Sequence, residues 1–185
     1  MYDIYTIADH AHPVIIALGL FLSWKVPTAR WFLITYFIVI VLNLAMFPIT
    51  INWNTHYYLA EALFAVVFLI PIIYRKGLAQ LLYDKSGNEF YLKVLKRQSL
   101  SQQECVIILI VTISILTNLV TWFEVLAYKY YLIENAYFKL YFRNNVILVL
   151  QFVLCASFLA YAIKAKSREI NMESNSTSTG HSIDN

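Results

Sequence analysis

Long runs of apolar residues, rather than an alternation of apolar and polar positions, dominate the pattern along this chain. A transmembrane α-helix needs about 20 apolar residues to cross about 30 Å of hydrocarbon. Four segments meet that length, and each carries at most one charged residue: 31–49, 56–74, 105–124 and 144–163. These four segments predict membrane-spanning helices.

A fifth apolar segment, 4–24, is weaker because polar residues occupy its first half. Asp9, His10 and His12 precede the apolar run Val14–Leu22. A carboxylate costs up to about 3 kcal/mol at the centre of a spanning helix and less near its end, so the apolar run should offset it. We therefore expect an all-α integral membrane bundle of about five transmembrane helices. The alternative is a first segment that lies at the membrane surface, which leaves four spans.

Positive charges predict how these helices are oriented. Eleven of the 14 lysines and arginines follow the first, third and last spans, and the other three lie on the opposite side. Cytoplasmic segments carry the excess of Lys and Arg in membrane proteins. Five spans then place the N-terminus outside and the C-terminus inside, whereas four spans would place both ends inside. We expect a multi-pass protein of a bacterial cytoplasmic (inner) membrane.

Composition supports the membrane class. The chain of 185 residues is 60% hydrophobic and 14% charged, with a mean hydropathy of +0.61, whereas soluble domains average about 25% charged residues. A soluble domain with so few ionic groups would expose large apolar patches. The net charge of +3 comes from residues beside the apolar runs and forms no basic stripe. The expected partner is therefore the lipid bilayer, and no nucleic acid is expected.

Segments outside the spans have patterns of their own. In the inner loop 76–104, the stretch Asn88–Leu100 places apolar residues at helical spacing among basic ones. This predicts an amphipathic helix held at the inner surface by anionic lipid, with a protein-docking site as the alternative. Ser101 and Glu104 form a capping-box pattern ahead of the fourth span. After the bundle, 1–164, the Ser- and Asn-rich segment 165–185 predicts a disordered polar cytoplasmic tail.

Polar residues within the predicted spans gather in their outer halves. In lipid, a buried polar side chain must find a partner within the bundle, so such residues mark helix contacts or functional sites. The pattern predicts an outer-half pocket centred on Glu61, with these candidate lining residues: Asp9, His12, Asn43, His56, Glu61, Asn118, Glu124 and Gln151. For the three amides, Asn43, Asn118 and Gln151, the favoured interpretation is that they only join helices, at about 1 kcal/mol each, and the pocket is a hypothesis beside it.

Histidine and carboxylate together also raise a metal hypothesis. Asp9 and His12 are three residues apart and share a helix face. With His56 and Glu61 they give a candidate zinc or iron site on the outer face. This spacing has little specificity, so no cofactor is predicted and the metal stays an alternative. The sequence contains no P-loop, G-x-S-x-G, H-E-x-x-H or C-x-x-C motif, so an enzyme is not the expectation.

Three functions follow from these patterns. The first is a non-enzymatic membrane protein that associates with other membrane components, as a homo-oligomer or with a different membrane protein. Ala156 and Ala160 would give the last span a small-residue face for such contacts. The second is a small-solute or proton-handling protein that uses the pocket around Glu61. The third is a metal-dependent membrane enzyme with His and carboxylate ligands on the outer face.

Overall fold

The computed structural model describes residues 2–96, 100–167 and 170, with side chains from residue 11 onward. The described residues form helices joined by short turns, and none of them forms a strand. The elements are α1 (Tyr2–Leu22), α2 (Pro27–Thr50), a 3-10 turn (Ile51–His56), α3 (Tyr57–Ile73), α4 (Arg75–Ser86), α5 (Glu89–Lys96), α6 (Gln102–Lys129), a π-helical turn (Phe138–Arg143) and α7 (Asn144–Ile163). Most of the tail predicted at 165–185 lies outside the described residues.

Three helical runs are long and apolar enough to cross a membrane: Pro27–Ile73, Gln102–Lys129 and Phe138–Ile163. The apolar part of α1 is shorter, from Ala11 to Leu22. The structure thus confirms that the described part of the chain is helical and has helices compatible with a membrane, while the number of spans and their orientation stay predictions.

The run 27–73 contains two helices that turn back on each other. At Asn54 the backbone leaves the helical region, with φ 48° and ψ −91°, and asparagine is among the few residues that tolerate a positive φ. Beyond this turn, α3 packs antiparallel to α2, because Asn43 bonds to Glu61 near the turn and Trp31 bonds to the Pro71 carbonyl far from it.

Five helices form a closed ring whose order around the ring is their order in the chain. α1 packs against α2 and α7, α3 packs against α2 and α6, and α6 packs against α7. We name the two ends of the ring after residues there. The Asn54 end carries the α2–α3 turn and the α6–α7 connection, and the Arg75 end carries the α1–α2 turn together with α4 and α5.

The outside of the ring is apolar. Each ring helix has a large aliphatic side chain that is 54–67% exposed: Leu18, Leu44, Leu63, Leu116 and Val149. In water such a surface would aggregate, whereas lipid hydrocarbon covers it without cost. The exterior therefore agrees with the membrane class that composition indicates.

At the Arg75 end, α5 confirms the helix predicted within the inner loop. Its apolar face packs on protein, with Val94 buried against Trp31 and Ala79. The predicted contact of this helix with anionic lipid stays a prediction. The capping box is confirmed: the Glu104 N–H donates to Ser101 Oγ at 3.2 Å, and the Ser101 N–H donates to Glu104 Oε2 at 2.8 Å.

Candidate functional site

A cavity of about 440 Å³ lies inside the ring, in the half toward the Asn54 end. Small-molecule sites in proteins are typically about 300–1,000 Å³. All five ring helices and the π-helical turn supply a polar lining residue: His12, Asn43, Glu61, Asn118, Arg143 and Gln151. The cavity is therefore enclosed by the whole ring and not by one pair of helices.

The rest of the cavity wall is apolar. Aliphatic and aromatic side chains from four of the ring helices line it: Phe47, Phe64, Phe68, Ile110, Ile147 and Leu154. A cavity with an apolar wall and a few converging polar groups is the usual form of a ligand site. Here the polar groups can orient a ligand, and the wall can hold its apolar part.

A layer of aromatic rings forms the floor of this cavity. Tyr36 and Phe68 line the cavity, with ring centroids 4.7 Å apart, and Tyr36 lies 4.3 Å from Phe158. Below them, Phe32 lies 5.0 Å from Tyr161. These rings are buried and tightly packed, so they close the cavity toward the Arg75 end.

Glu61 has a hydrogen-bond donor within the cavity. Asn43 Nδ2 donates to Glu61 Oε2 at 3.2 Å, which joins α2 to α3. The amide of Asn43 thus joins helices, as the favoured interpretation expects, and it also lines the cavity. His12 lies edge-on to Tyr36, with ring centroids 6.3 Å apart.

Sequence reasoning missed Arg143 as a site residue and counted it only as a loop charge. Its guanidinium reaches into the cavity, where Nη2 donates to Asn118 Oδ1 at 3.2 Å. The guanidinium carbon also lies 4.8 Å from the centre of the Tyr58 ring. A signal was present, because Arg143 directly precedes the last span and its side chain is long enough to extend along that helix.

Two candidate residues lie outside the cavity lining. His56 Nδ1 accepts a hydrogen bond from Trp122 Nε1 at 3.3 Å. Glu124 accepts the backbone N–H groups of Phe138 and Lys139 at 2.7 and 2.8 Å, so it caps the start of the π-helical turn. The side chain of Asp9 lies outside the described residues.

The structure brings together only part of the proposed metal-ligand set. His12 and Glu61 share the cavity, whereas His56 bonds to Trp122. Among the described side chains, no group of three or more His, Cys, Asp or Glu is placed to hold a metal ion. A zinc or iron site stays a prediction that involves Asp9, whose side chain is outside that description.

A buried ion pair closes the Arg75 end of the ring, and the sequence analysis did not predict it. Glu104 Oε1 accepts from Arg75 Nη1 at 3.2 Å and from the Tyr161 hydroxyl at 2.8 Å. Arg75, Glu104 and Tyr161 are each 5% exposed or less. This network joins α4, α6 and α7 directly below the aromatic floor.

Comparison with known protein families, curated proteins and solved structures finds no match to this chain. The functional argument therefore rests on the fold and on the geometry of the cavity.

Proposed function

We propose that this protein is a five-span membrane protein that binds a small solute in the ring cavity. The observation that carries the proposal is the cavity itself, into which every ring helix turns a polar group within an otherwise apolar wall. Polar groups inside a membrane are expensive, so five converging groups are best explained by a ligand that they bind. The solute would combine a polar head with an apolar body.

The proposal needs a membrane orientation. Each ring helix runs opposite to its neighbours in the chain, so five spans alternate between the two sides. The positive-inside rule places the Arg75 end in the cytoplasm, because α4 and α5 carry the basic residues there. The cavity then lies in the outer half of the membrane and receives its solute from the outer side.

The aromatic floor sets what such a cavity can do. The packed rings lie below the cavity, and the Arg75–Glu104 pair closes the ring below them. A solute in the cavity therefore has no path to the inner side in the described arrangement. Binding is therefore the activity that this arrangement supports. Transfer of the solute or of a proton would require the floor to open.

The test is the accessibility of Ser114, a cavity-lining residue of α6. We would introduce Ser114→Cys after replacing Cys105 and Cys155, and add a charged maleimide to the outer side of reconstituted vesicles. Leu116→Cys is the matched control, because that side chain lies on the outside of the same helix, where lipid covers it. Thiolate is the reactive form and does not form in hydrocarbon, so only the cavity position should react.

Binding is then read as protection of Ser114→Cys by decanoate, decanol and decyltrimethylammonium. Protection by at least one of them, with no protection of an exposed outer-side position such as Glu134→Cys in the same background, supports a solute-binding cavity. An unreactive Ser114→Cys would overturn access from the outer side. A reactive one that none of the three probes protects would overturn solute binding.

The number of spans has its own test. Five spans put the residues before α1 and those after α7 on opposite sides of the membrane. Protease applied to sealed vesicles should then remove a tag from only one end of the protein. Removal of both tags, or protection of both, would indicate four spans and a surface-lying α1.

Association with other membrane components is the second candidate function. Ala156 and Ala160 are exposed on the outside of α7, so the small-residue face is available for helix contacts. Ala160→Cys should form a disulfide-linked dimer in the membrane if two copies meet there, in a chain that lacks Cys105 and Cys155. Ala162→Cys is the control, because Ala162 is buried within the ring. A monomeric Ala160→Cys protein would speak against this self-association.

A further inference from the structure

Arg143 places a positive charge in the cavity without a carboxylate beside it. Among the described residues, the ion pairs join Arg75 to Glu104 and Lys93 to Glu89, and no carboxylate pairs with Arg143. The two hydrogen bonds of its terminal nitrogens go to neutral amides, Asn118 Oδ1 and Asn144 Oδ1, both at 3.2 Å. The terminal nitrogens are therefore bonded to neutral dipoles, and Glu61, the carboxylate that lines the same cavity, lies beyond ion-pair distance of them.

One donor of Arg143 is also unused. Nε is buried and has no hydrogen-bond partner. A buried donor without a partner costs about 1–3 kcal/mol, and more when the group is charged. Because Nε is closed off from the cavity, the groups of Arg143 that can meet a ligand there are the remaining N–H groups of Nη1 and Nη2, each of which makes one bond to an amide.

The guanidinium is held in a fixed orientation. Its bond to Asn118 Oδ1 restrains the guanidinium plane. Asn118 is itself fixed, because its Nδ2 donates to the Ser114 carbonyl at 3.1 Å. The ring of Tyr58 supports the guanidinium, with its carbon 4.8 Å from the ring centre. A planar fork of donors held this way matches the two oxygens of a carboxylate or the oxygens of a phosphate.

Glu61 decides where in the cavity an anionic group fits. It lines the same cavity on α3 and accepts from Asn43 of α2, and its acceptor oxygens match the donors of Arg143 rather than the oxygens of an anionic head. Arg143 lies at the Asn54 end, next to the π-helical turn, whereas the wall toward the floor is formed by residues such as Phe68 and Leu154. A ligand with one anionic end and one apolar end fits this arrangement.

We propose that Arg143, oriented by Asn118, binds the carboxylate or phosphate head of an amphiphile whose apolar chain extends toward the aromatic floor. This inference rests on the proposed solute-binding function and adds the chemical class of the solute. The shared chemistry is an anionic oxygen group, which a fatty acid or a lipid phosphate can supply.

The test compares three probes that share a chain length and differ in head group. Decanoate is anionic, decanol is neutral and decyltrimethylammonium is cationic, and the readout is protection of Ser114→Cys in vesicles. Arg143→Gln should raise the decanoate concentration needed for half-maximal protection about tenfold to a hundredfold, the range expected for charge-assisted hydrogen bonds. The decanol concentration needed for the same protection should not change. Arg143→Lys should need a decanoate concentration between those of the parent protein and Arg143→Gln, because lysine keeps the charge and lacks the planar fork of donors.

The control is Lys139→Gln, which removes a neighbouring positive charge that lies outside the cavity lining. It should leave decanoate protection as in the parent protein, which separates a bound head group from general attraction of anions. Unchanged protection by decanol shows that the Arg143→Gln cavity is intact. Equal effects of Arg143→Gln on decanoate and decanol would overturn the anionic-head assignment and leave the proposed function standing.

Two further outcomes separate the sources of the anion. Decyl phosphate that protects at lower concentration than decanoate, in an Arg143-dependent way, would assign a phosphate head. Acetate or inorganic phosphate that protects as well as decanoate would overturn the amphiphile, because the apolar chain would then contribute nothing. Protection by none of the probes would overturn the proposed function and this inference together.

Discussion

Replacing Glu104 by Gln removes one charge from the centre of the Arg75 end. Glu104 accepts with both oxygens, Oε2 from the Ser101 N–H and Oε1 from Arg75 and Tyr161, whereas a Gln amide has a single acceptor oxygen. Gln can replace Glu in the capping box, so the substitution keeps that acceptor and removes the charge and the acceptor that face Arg75. The guanidinium of Arg75 then stays buried without a counter-ion, and the Tyr161 hydroxyl bonds to a neutral acceptor or to none. The bonds from α4 and α7 to α6 lose their charged acceptor.

Removing one partner of a buried ion pair costs about 3–5 kcal/mol, because the remaining charge is left uncompensated. For a chain of this length each kcal/mol shifts the unfolding midpoint by about 2–4 °C, so Glu104→Gln should lower it by about 6–20 °C. Tyr161→Phe leaves the ion pair in place and removes the hydroxyl that donates to Glu104 at 2.8 Å, so it should lower the midpoint by about 3–12 °C. We therefore expect Glu104→Gln to lower the unfolding midpoint more than Tyr161→Phe does.

The assay is thermal unfolding in mild detergent, followed by circular dichroism. Glu89→Gln is the matched control, since its pair with Lys93 is exposed and 4.0 Å long, and exposed pairs contribute about 0–1 kcal/mol. The double variant Arg75→Met with Glu104→Gln should recover much of the loss, because no unpaired charge remains. This reasoning would be refuted if Glu104→Gln unfolded at the same midpoint as Glu89→Gln. It would also be refuted if the double variant unfolded at a lower temperature than Glu104→Gln alone.

Other substitutions test the packing of the ring and its capping. Gly19→Leu should lower the unfolding midpoint, because even a Cβ at Gly19 would lie 3.3 Å from the Cβ of Ala162. Gly77→Leu is the control and should not lower it, because a Cβ at Gly77 would meet nothing within 4 Å. Thermal unfolding compares the two variants. Gly77→Ala should raise the free energy of unfolding by about 0.5–1 kcal/mol through helix propensity, and an unfolding midpoint that does not rise would contradict this. Glu124→Gln should speed proteolysis between α6 and α7, because the two N–H groups that Glu124 accepts lose a charged acceptor, whereas the exposed Glu134→Gln should not.

The apolar runs predicted the ring helices because run length is a property of the chain alone. Pro27 shows how the bounds differ: α2 begins there, four residues before the predicted run, since proline favours the first turn of a helix. Within the loop predicted at 76–104, α4 was missed because its charged residues hide the helical spacing of Leu78, Ala79 and Leu82, which pack against α5.

The polar residues were predicted individually, and their partners were not. Sequence position alone put Asn43 and Glu61 at similar depth, and the antiparallel hairpin made them neighbours. The sequence analysis did not identify Arg143 or Arg75 as part of a buried site, because both lie beside predicted spans, where arginine is expected at the membrane surface. Only the packing of helices distant in the chain shows that one reaches into the cavity and the other into a buried pair.

The ring order has a consequence for how the protein is made. Because the order of helices around the ring follows the order of synthesis, α1 is made first, and one of its two ring neighbours, α7, is made last of the five. The ring, and with it the cavity, is complete only when α7 is in place. The contact of Gly19 with Ala162 is the step that completes it, and α1 and α7 are the one neighbouring pair of ring helices that no connecting segment joins. A chain without α7 would leave the cavity-lining polar groups of the other four helices without one wall of the ring.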